Sequence, residues 1–203
     1  MVPLPKAFNT IYGFAVADLD RDGNQKLLVL DKQDYLRVFD KAGAEIYRSS
    51  DHYGGSEQTL EFYPEKGRVT TIPDQHQLSA QNTGGSALDA TTVFLQGRMY
   101  FIDLMGDGKG QLVVASNSPS TGYSFRTRMY DKGKIFGLTW DGLGMQAVWE
   151  TREVPGYIAD FALVDPEGSG NRKLVLLVVQ TNLLGMAAGR STVVVLDIRP
   201  PEK

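Results

Sequence analysis

The residues best placed to do chemistry are the carboxylates of Asp18-Leu-Asp20-Arg-Asp22-Gly23-Asn24. Acidic side chains at alternate positions of a tight turn aim their oxygens at one centre, and the glycine lets the chain turn there. A hard cation such as calcium takes six to eight oxygen ligands, so Asp18, Asp20, Asp22 and Asn24 are the candidate metal ligands. The turn is not an EF-hand. That loop needs a bidentate glutamate at its twelfth position, where this chain has Val29, and the flanking residues are strand-like. A second occupant of the same centre is written into the sequence. Lys26 stands at the ninth position, and its ammonium could neutralise the clustered carboxylates by charge-assisted hydrogen bonds.

The turn belongs to a segment that occurs three times: FAVADLDRDGNQKLLVL from Phe14, MYFIDLMGDGKGQLVVA from Met99 and FALVDPEGSGNRKLVLL from Phe161. The copies align without a gap. In each, an apolar run ends at an aspartate (Asp18, Asp103, Asp165), a polar turn follows, and a second apolar run begins. Further strand-like runs follow each copy at Leu36 to Phe39, Leu138 to Trp140 and Val193 to Leu196, each meeting Asp40, Asp141 or Asp197. After the first two come EIYRSS and QAVWET. The unit is strand, acidic turn, strand, connection, strand, Asp-led turn, strand. Four strands joined up and down form a meander, the blade of a β-propeller.

At these residues the chain resembles the FG-GAP/VCBS repeat family, the propeller repeats also found in integrin α-subunit heads. The resemblance covers the three repeats and implies calcium in the acidic turns, with a further acidic ligand at the ninth position. This sequence holds Lys26, Gln111 and Lys173 there, and Met105 replaces an acid in the second turn. The resemblance also implies a bacterial extracytoplasmic or envelope-associated setting.

The expected fold is all-β with almost no helix: an incomplete β-propeller of three four-stranded antiparallel blades in one domain. Blade one spans about 10–50 and is followed by an insertion over 51–92. Blade two spans about 93–153 and blade three about 157–198, without a fourth strand. Within the first insertion, Thr59 to Tyr63 and Arg68 to Ile72 suit a hairpin, and Asp74 to Asp89 is expected to be mobile. Shorter insertions lie at Asn117 to Lys132 and at Leu183 to Arg190. Three blades fall short of the four to eight of closed propellers. The ends are therefore expected to be completed by a second copy or by the remainder of a longer propeller, and VPLPKAF is a candidate filling strand.

Composition narrows the functional classes. The net charge of −3 argues against a nucleic-acid footprint, which is normally basic. With no cysteine, disulfide and thiol chemistry are excluded. No apolar run reaches the ~18 residues of a membrane-spanning helix. The chain has no G-x-S-x-G elbow, and GDGKG at Gly106 to Gly110 leads into a strand where a dinucleotide loop would open a helix. Trp140 and Trp149 recur at the positions of Phe39 and Tyr47, as core residues between blades would. Arg126, Arg128, Lys132 and Lys134 read as a solvated basic hairpin, and Leu183, Leu184 and Met186 as an apolar loop tip.

These features favour a non-catalytic binding or scaffold module contacting a protein or glycan. Two alternatives stay open. One is a propeller-scaffold enzyme acting on polysaccharide, with Asp51, His52, Tyr53, His76 and Asp89 gathered from the first insertion. The other is a structural assembly module completed by another chain.

Overall fold

Short runs of β-branched and aromatic residues, each stopped by an aspartate or glycine turn, leave no room for a helical period. The computed structural model describes residues 13–62, 69–70, 91–119, 128–166, 168, 172–180 and 190–198. Among them are fifteen strands and no helix. In chain order the strands are β1 (Phe14–Ala17), β2 (Lys26–Leu30), β3 (Tyr35–Phe39), β4 (Glu45–His52), β5 (Thr59–Phe62), β6 (Val69–Thr70), β7 (Thr91–Phe94) and β8 (Met99–Ile102). They continue with β9 (Gln111–Pro119), β10 (Tyr130–Trp140), β11 (Met145–Glu150), β12 (Val154–Pro155), β13 (Tyr157–Val164), β14 (Lys173–Gln180) and β15 (Arg190–Asp197).

All pairing is antiparallel within four sheets. The first is the meander β1-β2-β3-β4, and the second is β8-β9-β10-β11 with β12 added beside β10. The third is β13-β14-β15, three strands among the described residues. A small sheet, β6-β5-β7, is built from the first insertion. The register bears out the gapless repeat. Ala17 pairs with Lys26, Ile102 with Gln111 and Val164 with Lys173, so the three acidic turns bridge equivalent strand ends.

Side chains alternate across a strand, and the second sheet uses both faces. Leu112, Val114 and Leu138 pack with Leu28, Leu30, Leu36 and Val38 of the first sheet. Val113, Ala115 and Ile135 pack with Leu174, Leu176 and Val178 of the third. Two like-built seams therefore run through the molecule. At ~25 cal/mol per Å² of apolar surface, these fully buried aliphatic and aromatic contacts are the main stabilising term. Trp140 and Tyr47 meet edge to face at the first seam, and Trp149 packs against the second, as their core-like recurrence predicts.

Two segments depart from expectation. The loop expected over Asn117 to Lys132 is partly strand, because β9 runs to Pro119 and β10 starts at Tyr130. The first insertion carries the expected hairpin, with Glu61 opposite Thr70, and it gains a third strand because Thr59 to Phe62 also pairs with β7. The stretch Asp74 to Asp89, the tip at Leu183, Leu184 and Met186, Arg126 and the VPLPKAF strand lie outside the described residues.

Candidate functional site

The first acidic turn is closed by its own donors. The Asp18 carboxylate accepts the backbone N–H of Asp22 at 3.1 Å and that of Gly23 at 2.8 Å. Asp22 accepts the backbone N–H of Asn24 at 2.8 Å and its side-chain amide at 3.0 Å. Those Asn24 donors hold the Asp22 carboxyl below its usual range. Asp20 is ion-paired with the ammonium of Lys26, whose side chain is nearly buried, and it accepts the Trp140 indole N–H at 2.6 Å. Arg21 and Gly23 take positive φ, 58° and 83°, which curls the chain around Asp18.

The second turn repeats the arrangement with different residues. Asp103 accepts the N–H of Gly106 at 2.7 Å and that of Gly108 at 2.8 Å, and Asp107 accepts that of Lys109 at 2.8 Å. Gln111, in the place of Lys26, accepts the Leu104 N–H at 2.9 Å and donates to the Lys109 carbonyl at 2.6 Å. In the third turn Gly168 N–H approaches the Asp165 carbonyl at 3.4 Å, and Glu167, Ser169 and Asn171 lie outside the described residues. So the ninth residue plugs each of the first two turns, and the first aspartate caps two amides. This donor set fits calcium poorly. The oxygens of Asp18, Asp20 and Asp22 are engaged, and an ammonium already sits against Asp20. Among the described residues no three His, Asp or Glu side chains converge as a metal site requires.

A donor from the next sheet reaches back to each of these two turns. Trp140 of the second sheet binds Asp20, and Arg172 at the start of the third donates to the Asp103 carbonyl at 3.2 Å. The acidic turns thus pin the seams.

Among the described residues the deepest charged group lies elsewhere, and the sequence did not suggest it. Asp34 is fully buried at the tight turn before β3, with φ of 67°. Both its carboxylate oxygens accept from Nη1 of Arg128 at 2.8 Å, and one accepts the Gln96 amide at 2.8 Å. The Arg128 side chain is 7% exposed, donates to the Lys32 carbonyl, and lies 4.4 Å from the Phe94 ring centre. Arg128 is therefore no part of a solvated basic patch. Lys132 and Lys134 are surface residues paired with Glu153 and Glu150. Burial pushes the Asp34 carboxyl up, against the pull of Arg128 and Gln96. On Arg128, burial opposes the charge most strongly, yet Asp34 and Tyr130 together outweigh it and the guanidinium rises. At neutral pH the second pull wins and the pair stays ionised, because a guanidinium does not release its proton in this range.

Gly54 and Gly55, at φ of 81° and 82°, carry the chain from β4 onto the second sheet. A Cβ at Gly55 would lie 3.0 Å from the Tyr130 ring. Buried Asn117 locks this crossing. Its amide donates to the carbonyls of Gly55 at 2.9 Å and Ile158 at 3.0 Å, and it accepts the Ile158 N–H at 2.9 Å.

Beside the crossing an open cleft of about 490 Å³ is lined by Asp51, His52, Tyr53, Ser116, Asn117, Ser118, Pro119, Phe136 and Ala147. The rings of Tyr53 and Phe136 meet edge to face at 5.6 Å. The Ser116 hydroxyl donates to the His52 carbonyl at 2.9 Å. His52 is half-buried, with its ring 4.5 Å from that of Tyr35. Burial, helped by the charge of Asp51, pushes the Tyr53 hydroxyl up to about 12. Of the five residues proposed for an enzymatic cluster, the cleft gathers Asp51, His52 and Tyr53, while His76 and Asp89 lie outside the described residues. A scan against family models finds no match to this sequence, and a search of curated proteins finds no significant relative.

Proposed function

We propose that this chain is a non-catalytic binding and scaffold module, three blades of an incomplete FG-GAP/VCBS-like β-propeller that receives a glycan at the cleft on its first seam. For such a module the resemblance implies a bacterial extracytoplasmic or envelope-associated setting. One observation carries the reading: the cleft is bordered by the half-buried Phe136 ring, the edge of the largely buried Tyr53, serine hydroxyls and a carboxylate, while the Tyr53 hydroxyl is pushed to about 12. Rings beside hydroxyls suit the apolar face and polar rim of a sugar. A phenol so reluctant to ionise is badly matched to proton abstraction at neutral pH. The acidic turns serve as architecture, and the calcium suggested by their spacing and by the family resemblance would meet carboxylates that are already engaged.

The enzymatic alternative keeps one observation in its favour, the convergence of Asp51, His52 and Tyr53 on one cleft. Titration of isotope-labelled protein with neutral and uronic oligosaccharides separates the two readings. Binding without catalysis shifts the amide signals of Asp51, Ser116 and Ser118 and leaves the saccharides intact after prolonged incubation. Shortened or unsaturated products would establish the enzyme. Unperturbed cleft signals would remove the glycan and leave a protein partner.

A further inference from the structure

The cleft at the first seam carries one acid with nothing to balance it. Asp51 is exposed near the end of β4, and among the described residues its carboxylate has neither an ion pair nor a hydrogen-bond donor. Only its backbone carbonyl is used, accepting the Ser49 hydroxyl at 2.7 Å. Among the described residues the cleft holds no lysine or arginine, and His52 is its only base. Cations do stand at its margin. Lys132 pairs in register with Ser118 and Lys134 with Ser116, and side chains directly opposite one another share a face. Each is already neutralised, Lys134 by Glu150 at 2.8 Å and Lys132 by Glu153 at 3.3 Å. Of these charges only that of Asp51 is left over, and after burial it is the next cause that pushes the Tyr53 hydroxyl up. The other polar groups add acceptors. Ser116 donates its proton to the His52 carbonyl at 2.9 Å, so toward the cleft its oxygen can only accept. Asn117 is engaged at both ends of its amide by Gly55 and Ile158.

We propose that the glycan received at this cleft carries free amines: a hexosamine polymer without acetyl groups, its ammonium set against the Asp51 carboxylate and the Ser116 oxygen. The inference rests on the glycan reading of the cleft and adds to it the charge of the sugar. An alkylammonium has three donors and no acceptor, which matches a free carboxylate beside an accepting hydroxyl. A sugar carboxylate only accepts, and it would meet Asp51 with no free cation to offset the repulsion. Acetylation removes the ammonium and leaves Asp51 unanswered. Because Asp51 is solvated, the resulting preference is modest.

The test titrates isotope-labelled protein with a glucosamine tetrasaccharide, its N-acetylated counterpart, a galacturonate tetrasaccharide and tetralysine, in a buffer that keeps the amines protonated. The free amino sugar should bind about fivefold more tightly than the acetylated one, the upper range for a solvated ion pair, and the galacturonate most weakly. Added salt should shrink this preference. Asp51→Asn keeps the side-chain shape and should bring the free and acetylated sugars level. Glu150→Gln releases Lys134 from its partner and should strengthen galacturonate binding. Circular dichroism checks that both variants fold. Equal affinity of the unaltered chain for the free and acetylated sugars would overturn the charge preference and leave the glycan reading intact. A preference that survives Asp51→Asn would overturn the role of Asp51. Tetralysine bound as tightly as the amino sugar would overturn the sugar and leave a basic peptide as the occupant. Silent cleft signals with every probe would remove the glycan reading, and this inference with it.

Discussion

Arg128 holds the buried carboxylate of Asp34 from a distant point in the chain, and charge-pair mutants report on it directly. Asp34→Asn keeps a residue that tolerates positive φ but strands the guanidinium, and Arg128→Met strands the carboxylate. Each is expected to cost about 3–5 kcal/mol in denaturant unfolding. The double variant should recover much of that loss, and simple additivity would contradict the pairing. Lys26→Met leaves Asp20 partly solvated and is expected to cost only about 1 kcal/mol. Glu57 gives a pH signature. Burial raises its carboxyl above the usual 4.5, while it accepts the Tyr130 backbone N–H at 2.9 Å. The folded state then binds this proton more readily than the unfolded one, so its contribution to stability declines as pH rises through that window. Glu57→Gln keeps the acceptor and removes the charge. It should melt higher than the parent at pH 7, with the gain vanishing below the ordinary carboxyl value; a gain that persists in acid would refute this sign. The turn residues Asp18, Asp20, Asp22 and Asn24 were legible from type and spacing. Asp34 and Arg128 were not, since Arg128 reads with its basic neighbours as a solvated patch and an acid so far away in the chain carries no spacing signal to it.

At the scale of strands, alternation and the Asp-led stops revealed the meanders, and the register follows the repeat closely. What stayed hidden were elements specified by tertiary partners. The extension of β9 and β10 into an expected loop depends on Asn117 and on Gly54, which bridges to Ser116. The third strand of the small sheet depends on pairing across the insertion. Asn117→Ala would leave a buried Ile158 N–H and two carbonyls without their partner, at about 2–3 kcal/mol. Hydrogen exchange should then accelerate at Ile158 and Asn117 before the rest of β13; uniform protection would show that the crossing is not locked there. Gly137 has a similar tertiary reason. A Cβ there would sit 2.1 Å from the Trp149 ring, so Gly137→Ala must displace the indole and is expected to cost about 1–3 kcal/mol.

Across the whole molecule, three sheets of one design share two seams, and the acidic turns fasten the seams through Trp140 and Arg172. The repeat made this stacking legible, because three gapless copies of one strand–turn–strand unit imply three like-built sheets. Which groups close the turns was left open between a cation and Lys26, since both satisfy the same carboxylates. The account holds that the turns are complete without metal. Its most direct test is thermal unfolding in millimolar calcium and again in excess chelator. Ligand at a hundred times its dissociation constant would add about 2.7 kcal/mol, or roughly 5–10 °C for a chain of this size. Superimposable melts are the predicted result; a calcium-dependent rise of that order would contradict the claim that the turns are architecture.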